Sequence, residues 1–283
     1  MRLVEQILTC FPEFDAMQQN RKRLTIVKRP FTDRPRPLQG SIIAFSVDTA
    51  VEEHGPHLPL GTDRFQSYHV LQQVADANPH VELFHAVDYG QLTWGLPFGF
   101  SIDLTAPLLT EYVAAFANAI ADLLQPRAIY AVDVHGSIIH REAIIAGLKQ
   151  IEQLPWAFRW LHEPLVEFAS GRGDQHAGGV ETALIELIST DLLDAAWWPS
   201  RRDDLARHQM SFEQAVELTP NLIQFQKEAR SRQLNGIVGD INNHRRLDAI
   251  DMNQRMVTIA KRDVSALEAG EGRTLQLPGQ QYW

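Results

Sequence analysis

Acidic and imidazole side chains crowd into twelve residues of this chain, at Glu52, Glu53, His54, His57 and Asp63. The run Glu52-Glu53-His54-Gly55-Pro56-His57-Leu58-Pro59-Leu60-Gly61-Thr62-Asp63 is stiffened by prolines and freed to turn by glycines. Carboxylate oxygens and imidazole nitrogens together suit a divalent cation such as zinc, manganese or iron. Two later stretches carry more donors of the same kinds. In Asp133-Val134-His135-Gly136-Ser137 a polar pair follows an apolar run. In Gly173-Asp174-Gln175-His176-Ala177-Gly178-Gly179-Val180-Glu181-Thr182, His176 sits on a glycine-rich turn and Glu181 opens the next helix, where the dipole favours an acid. A cation held by such donors with one position open brings the pKa of its water toward neutrality and polarises a carbonyl. Glu52, His54, Asp63, His135 and Glu181 are donors enough for two ions, leaving His57 and His176 to move protons or hold substrate. Spacing assigns neither those roles nor the number of ions.

Strands and helices must carry these loops to one place. Ser41-Ile42-Ile43-Ala44-Phe45-Ser46-Val47 is apolar and β-branched enough for a buried strand ending just before the acidic loop. Residues 64–78 have helical spacing, residues 81–87 alternate like a strand, and residues 107–124 form an amphipathic helix that must stop before Pro126. Residues 128–133 are a second apolar strand, followed by a helix to Leu148; further helices are expected over residues 180–188 and 252–269. This strand–loop–helix rhythm predicts an α/β fold, a three-layer α/β/α sandwich with a mostly parallel sheet and ligands on loops at the strand carboxyl ends. Residues 195–234 look least regular and are expected to be a long surface excursion. The simplest organisation is one domain over residues 1–283, with an extended, proline-rich and basic arm within about residues 1–40.

Composition narrows the classes. The net charge of −9 argues against a general nucleic-acid binder, and no uninterrupted apolar run reaches the length of a membrane span. The first eight residues are too short and too charged for a signal peptide, so a cytoplasmic protein is expected. With one cysteine there is no disulfide within the chain and no thiolate finger, so any metal must be held by His, Asp and Glu. His69 and His85 read as ordinary core or surface histidines, and Arg141–Glu142 as a solvated pair. Trp94 and Trp198 are either core residues or the walls of a substrate pocket.

The twelve-residue run resembles the signature loop of the creatininase family, written E-Q-H-G-P-H-L-P-L-x-T-D. Asp133-Val134-His135-Gly136 is similar to that family's N-G-H-G segment, and His176-Ala177-Gly178-Gly179-Val180-Glu181-Thr182 to its H-A-G-x-x-E-T segment. The resemblance covers roughly residues 41–190 and includes Pro97-Phe98-Gly99-Phe100-Ser101, with a weaker echo at residues 236–240. It implies a binuclear site of Glu52, His54, Asp63 and His135 with Asp63 bridging, and an acidic fifth ligand. In creatininase that fifth ligand is a Glu two residues after the histidine of the second motif, where this chain has Ser137, so Glu181 takes its place. The resemblance also puts His176 near the substrate as a proton carrier and His57 behind the ligands. It implies a homo-oligomer, commonly a hexamer.

Glu53 stands where the family has Gln, Asp133 where it has Asn, and Ile138 where the second motif ends in Asn; residues 101–105 lack a histidine. Asp133 is expected to accept a hydrogen bond from a ligating imidazole. These departures keep the metal site and argue against creatinine as substrate. The expected function is metal-dependent hydrolysis of an amide-type C–N bond in a small, cyclic substrate by a metal-bound hydroxide, with Glu181, Glu53 or His176 passing the proton to the leaving group. The rivals are opening of a cyclic keto-sugar at a C–C bond with the same metals, and a degenerate, non-catalytic metal-binding scaffold, the latter suggested by Ser137.

Overall fold

The two central strands of a four-stranded parallel sheet are apolar on both faces, and only helices on both sides can bury both faces at once. The computed structural model describes residues 38–270 except 93–94, 153 and 169–173. Strand β1 (Ile42–Ser46) is buried at every position. It pairs with β2 (Val81–Leu83) on one side, Ile42 opposite Val81, and with β3 (Ala128–Asp133) on the other, Ile42 opposite Ala128. β3 pairs in turn with β4 (Trp156–Trp160), giving the order β2-β1-β3-β4. The two-residue alternation then sorts side chains to opposite faces. Ile42, Ala44, Tyr130 and Val132 join a core cluster with α1 (Thr62–Ala77), α4 (Gly179–Ile188) and α8 (Ala249–Glu268). Ile43, Phe45, Ile129, Ala131 and Phe158 join a second with α2 (Ala106–Leu124) and α3 (Ile138–Leu148). The molecule is the expected three-layer sandwich.

Local chemistry sets the helix ends. α1 stops at Ala77 because Asn78, extended at φ −133°, precedes Pro79. α2 begins with Pro107 in its first turn, where the missing N–H costs nothing, and ends on the left-handed Gln125 before Pro126. α8 is capped by Asp248, whose carboxylate accepts from the N–H groups of Ile250 (3.0 Å) and Asp251 (3.1 Å).

By length and composition α2 is a candidate to cross a membrane, although Glu111 and Asp122 interrupt its apolar run. Here Leu109, Val113, Ala117, Ile120 and Leu124, at three- and four-residue spacing, pack it onto the sheet as a core helix. The strand expected to Val87 ends at Leu83, with only an isolated bridge from Val47 to Val87 beyond it. Residues 195–234 are not irregular: they hold the short helices α5 (Arg202–Arg207), α6 (Phe212–Leu218) and α7 (Leu222–Ser231). Phe225, Met210, Ala215 and Val238 give these helices a small core of their own. β4 was not anticipated, nor was the antiparallel pair of β5 (Asp174–His176) and β6 (Val238–Gly239). The proline-rich arm and Trp94 lie outside the described residues.

A buried clamp holds α8 against the sheet. Arg159 on β4 donates from Nε (2.7 Å) and Nη2 (2.9 Å) to the two oxygens of Asp263, and Tyr130 on β3 donates to the same carboxylate at 3.1 Å.

Candidate metal centre

Because β1 and β3 are parallel, the segments after Ser46 and Asp133 leave the sheet at the same edge. That edge brings the acidic loop, the start of α1 and His135 together. The β5–β6 pair and the first turn of α4 bring in His176 and Glu181 from the side. Two donor groups result: Glu52, Asp63 and His135, and His54, His176 and Glu181, with one donor atom from each residue within 4.8 Å of the others in its group. All six residues are buried. Asp63 touches both groups, with Oδ1 at 3.3 Å from His54 Nε2 and Oδ2 at 3.5 Å from His135 Nδ1. Glu52 Oε2 lies 3.1 Å from His135 Nδ1, and Glu181 Oε2 lies 3.7 Å from His54 Nε2.

Hydrogen bonds fix which ring nitrogen is free. His54 Nδ1 is 3.1 Å from the Glu52 carbonyl, which can only accept, so Nδ1 carries a proton and Nε2, turned to the carboxylates, is the nitrogen open to a cation or a second proton. His176 donates from Nε2 to the Glu53 carbonyl at 2.6 Å, leaving Nδ1 free, 3.9 Å from Glu52 Oε1. Glu52 Oε1 and His54 Nε2 are buried without any hydrogen-bond partner. Unpaired buried lone pairs are costly, and a cation is the partner that satisfies several at once. The donor set thus fits one or two divalent ions.

The electrostatics agree. Burial alone would push the His54 imidazole down, but the Asp63 and Glu181 carboxylates outweigh it and hold its pKa up at about 10. His135 is likewise raised well above the ordinary imidazole value, burial being outweighed by Glu52 and Asp63. Asp63 lies well below the usual carboxylate value: burial opposes ionisation, and His54 and His135 overcome it. Without an ion the cluster holds protons where a cation would sit.

The surrounding residues orient the donors. His57 lies behind the cluster, its Nε2 donating to Thr182 Oγ1 at 2.8 Å, while Thr182 donates to the Gly178 carbonyl at 2.7 Å. That chain braces the turn from which Glu181 projects, and the Glu181 carboxylate accepts from the Ala177 N–H at 2.6 Å. Burial drives the His57 pKa down to about 3, so the ring is neutral. Trp198 packs against His57 with ring centroids 5.8 Å apart and is buried, and it is not among the residues lining the cavity described below. Glu53 accepts from the Gly55 N–H, and its Oε2 lies 3.8 Å from His176 Nε2. Asp133 does not take a proton from a ligating ring; it accepts from the backbone N–H of His135 at 2.8 Å, as the sharp turn after β3 dictates. Ser137 is not a donor to either group: its hydroxyl donates to Gln91 Oε1 at 2.7 Å and caps α3 by accepting from the His140 N–H at 3.3 Å. Both groups are complete without it. Arg141 is not half of a solvated pair but is buried over the Trp160 ring, 4.3 Å from its centroid, while Glu142 is exposed. His85 is exposed and His69 is half-buried; neither belongs to a donor group.

Two residues of the site escape sequence reasoning. His140 is fully buried beside His135, accepting from the Gln91 N–H at 3.1 Å and donating from Nε2 to the Val47 carbonyl at 3.1 Å. Its spacing with Ile144 and Leu148 marks the buried face of α3 and could have revealed it. Thr49, equally buried, had no signal at all. On the far side of Glu53 opens a cavity of roughly 690 Å³, lined by Glu53, Pro97, Phe98, Trp197, Asp204 and Arg230 among others but by none of the six donors, large enough for a small organic molecule.

No curated protein matches the chain. Among solved structures, a creatininase described as the Mn form superposes with a TM-score of 0.57 at 15% identity, covering 82% of this chain and 92% of the other. A mutant creatininase of Zn-Zn type gives 0.56 at 16% identity over 82% and 92%. A mutant creatininase complexed with creatine gives 0.55 at 15% identity over 81% and 92%. At such identities the likeness establishes the fold. The family model for creatininase, described as creatinine amidohydrolase, matches residues 39–258. The chain therefore belongs to the creatininase family of metal-dependent amidohydrolases.

Proposed function

We propose that this protein hydrolyses an amide-type C–N bond in a small, cyclic substrate, using two divalent ions. Glu52, Asp63 and His135 would hold one ion; His54 and Glu181 would hold the other, with Asp63 shared between them. The observation that carries the reading is the pair of buried donor groups joined through Asp63, with unpartnered lone pairs on Glu52 and His54. When bound, the ions supply an acidified water and a polarised substrate carbonyl. Zinc, manganese and iron all accept these donors.

The chain's own residues handle protons and substrate. The bond from His176 Nε2 to the Glu53 carbonyl fixes the ring so that Nδ1, facing the Glu52 carboxylate, can take up a proton and return it to the leaving nitrogen. Glu53, anchored by Gly55 at the cavity wall, and Glu181, held by the Ala177 N–H, are the carboxylates that can share that transfer. The cavity admits a small molecule beside Glu53, and its apolar turn at Pro97 and Phe98 favours a compact, partly apolar ring.

Metal analysis of the purified protein should find two divalent ions per chain, and a panel of lactams, formamides and cyclic keto-polyols should yield turnover on a cyclic amide. His54→Ala and Asp63→Ala should each abolish occupancy and turnover while the circular dichroism spectrum stays native. Retained turnover in either variant removes that residue from the mechanism. Turnover confined to the keto-polyols replaces the C–N assignment with C–C cleavage.

A further inference from the structure

Thr49 precedes the signature loop and belongs to neither donor group, yet its hydroxyl lies between carboxylates on which the proposed centre depends. It is 1% exposed. Its Oγ1 is 2.6 Å from Glu52 Oε2 and hydrogen-bonded to Asp63 Oδ2. Those same two oxygens face His135 Nδ1, at 3.1 Å and 3.5 Å. We infer that Thr49 is a positioning residue which sets the carboxylates of Glu52 and Asp63 for the ion shared with His135. This inference rests on the metal centre proposed above.

The argument is one of counting protons. A threonine hydroxyl has a single proton to donate, so it can satisfy only one carboxylate at a time. The second approach brings oxygen toward oxygen and is relieved only by a positive charge in the same place, a cation or the proton of His135. Thr49 thus fixes the rotamers of two acids that come from different elements, the loop and α1, and holds their Oε2 and Oδ2 atoms together. The remaining oxygens are left for other partners: Asp63 Oδ1 faces His54, and Glu52 Oε1 stays unpaired. Thr49 itself is held in place because its neighbours are tied to β2's continuation, the Asp48 N–H to the Val87 carbonyl at 2.9 Å and the Ala50 N–H to the Asp88 carbonyl at 3.0 Å. The hydroxyl is therefore a rigid strut. Partners that orient metal ligands from outside are worth about 10- to 100-fold in ion affinity.

The test is calorimetric titration of the chelator-treated full chain with Mn²⁺, and separately with Zn²⁺, for the native protein, Thr49→Val, Thr49→Ala and Thr49→Ser. In Thr49→Val one of the two binding events should weaken by about 10- to 100-fold. The other, governed by His54 and Glu181 and sharing only Asp63 through Oδ1, should weaken several-fold less. Thr49→Ser, which keeps the hydroxyl, should restore native affinity. Thr49→Ala serves if the valine variant does not fold. Native affinity in both hydroxyl-free variants overturns the inference and leaves the metal centre standing. Equal weakening of both events, or no rescue by serine, also overturns it, because a structural lesion spreads to both ions and ignores the hydroxyl. A native chain that takes up neither ion overturns the metal centre itself and this inference with it.

Discussion

Raising the pH from 7 to 9 should tighten ion binding steeply, because the metal-free centre stores protons on the groups that must become ligands. His54 sits at a pKa of about 10, held there by Asp63 and Glu181 against the opposing effect of burial. An ion can take His54 Nε2 only by expelling its proton. At pH 7 that proton lies three pH units below its pKa, and at about 1.4 kcal/mol per unit the competition costs about 4 kcal/mol, roughly 10³-fold in apparent affinity. The apparent Kd should therefore fall by about tenfold per pH unit, flattening near pH 10. The stability of the two forms follows with opposite trends. A histidine whose folded pKa is raised above its ordinary 6.5 contributes stability that is fully present below 6.5 and lost as the pH climbs through about 10. The ion-free protein should lose Tm over that window while the loaded protein should not, so the gap between them widens with pH. Isothermal titration in buffers of different ionisation enthalpy should count at least one proton released at pH 7.5. A Kd that is constant from pH 7 to 9 with no proton release would refute this account of the cluster.

Asp263→Ala leaves Tyr130 without its acceptor and Arg159 with Glu163 alone, and should cost about 3 kcal/mol in urea unfolding; a loss below about 1 kcal/mol would show that the clamp is idle. Gly236→Ala would place a Cβ 1.9 Å from Glu53 Oε1 at a backbone φ of +88°, so it should destabilise by at least about 1–3 kcal/mol and displace that carboxylate from the cavity wall. Unchanged thermal unfolding would contradict that close approach. Asp48, pushed up to about 7 by burial, gives stability that is complete below its ordinary 3.8 and lost as the pH rises through 7. Asp48→Asn should therefore be more stable than the native chain at pH 9, by up to about 4 kcal/mol, with no gain at pH 4; equal stability at both pH values counts against the raised value.

How far the fold could be read in advance depended on whether each element announced itself locally. β1 and β3 are uninterrupted apolar runs, and α2 repeats apolar residues at helical spacing before a proline, so hydrophobic pattern alone located them. β4 carries Arg159 between aromatic residues, and it takes the distant Asp263 as well as the local Glu163 to make a buried guanidinium acceptable there, so the run did not look like a strand beside β3. β5 and β6 are too short to show alternation and exist because they pair with each other across sixty-odd residues. The helices between them bury small, separate patches, as at Phe225 and Met210, which look polar and irregular in a linear reading. For the site, the dense motifs brought Glu52, His54, Asp63, His135, His176 and Glu181 into view. The residues that brace them were legible only where they shared a motif, as His57 did. Thr49 and His140 act through backbone carbonyls, amides and carboxylates that folding brings near them, and no spacing rule encodes such partners.

The short antiparallel pairing of β5 with β6 carries a consequence for how the protein can diversify. Asp174 faces Gly239 and His176 faces Val238, so the whole helical stretch between them springs from, and returns to, one stapled base. Its opening helix, α4, carries Glu181 of the second donor group, whereas its later part, residues 195–234, supplies Trp197, Asp204 and Arg230 to the outer wall of the cavity and no member of either group. That later part is in effect an interchangeable cassette: its length and lining can be rewritten to admit a different guest while the staple keeps His176 in place beneath it.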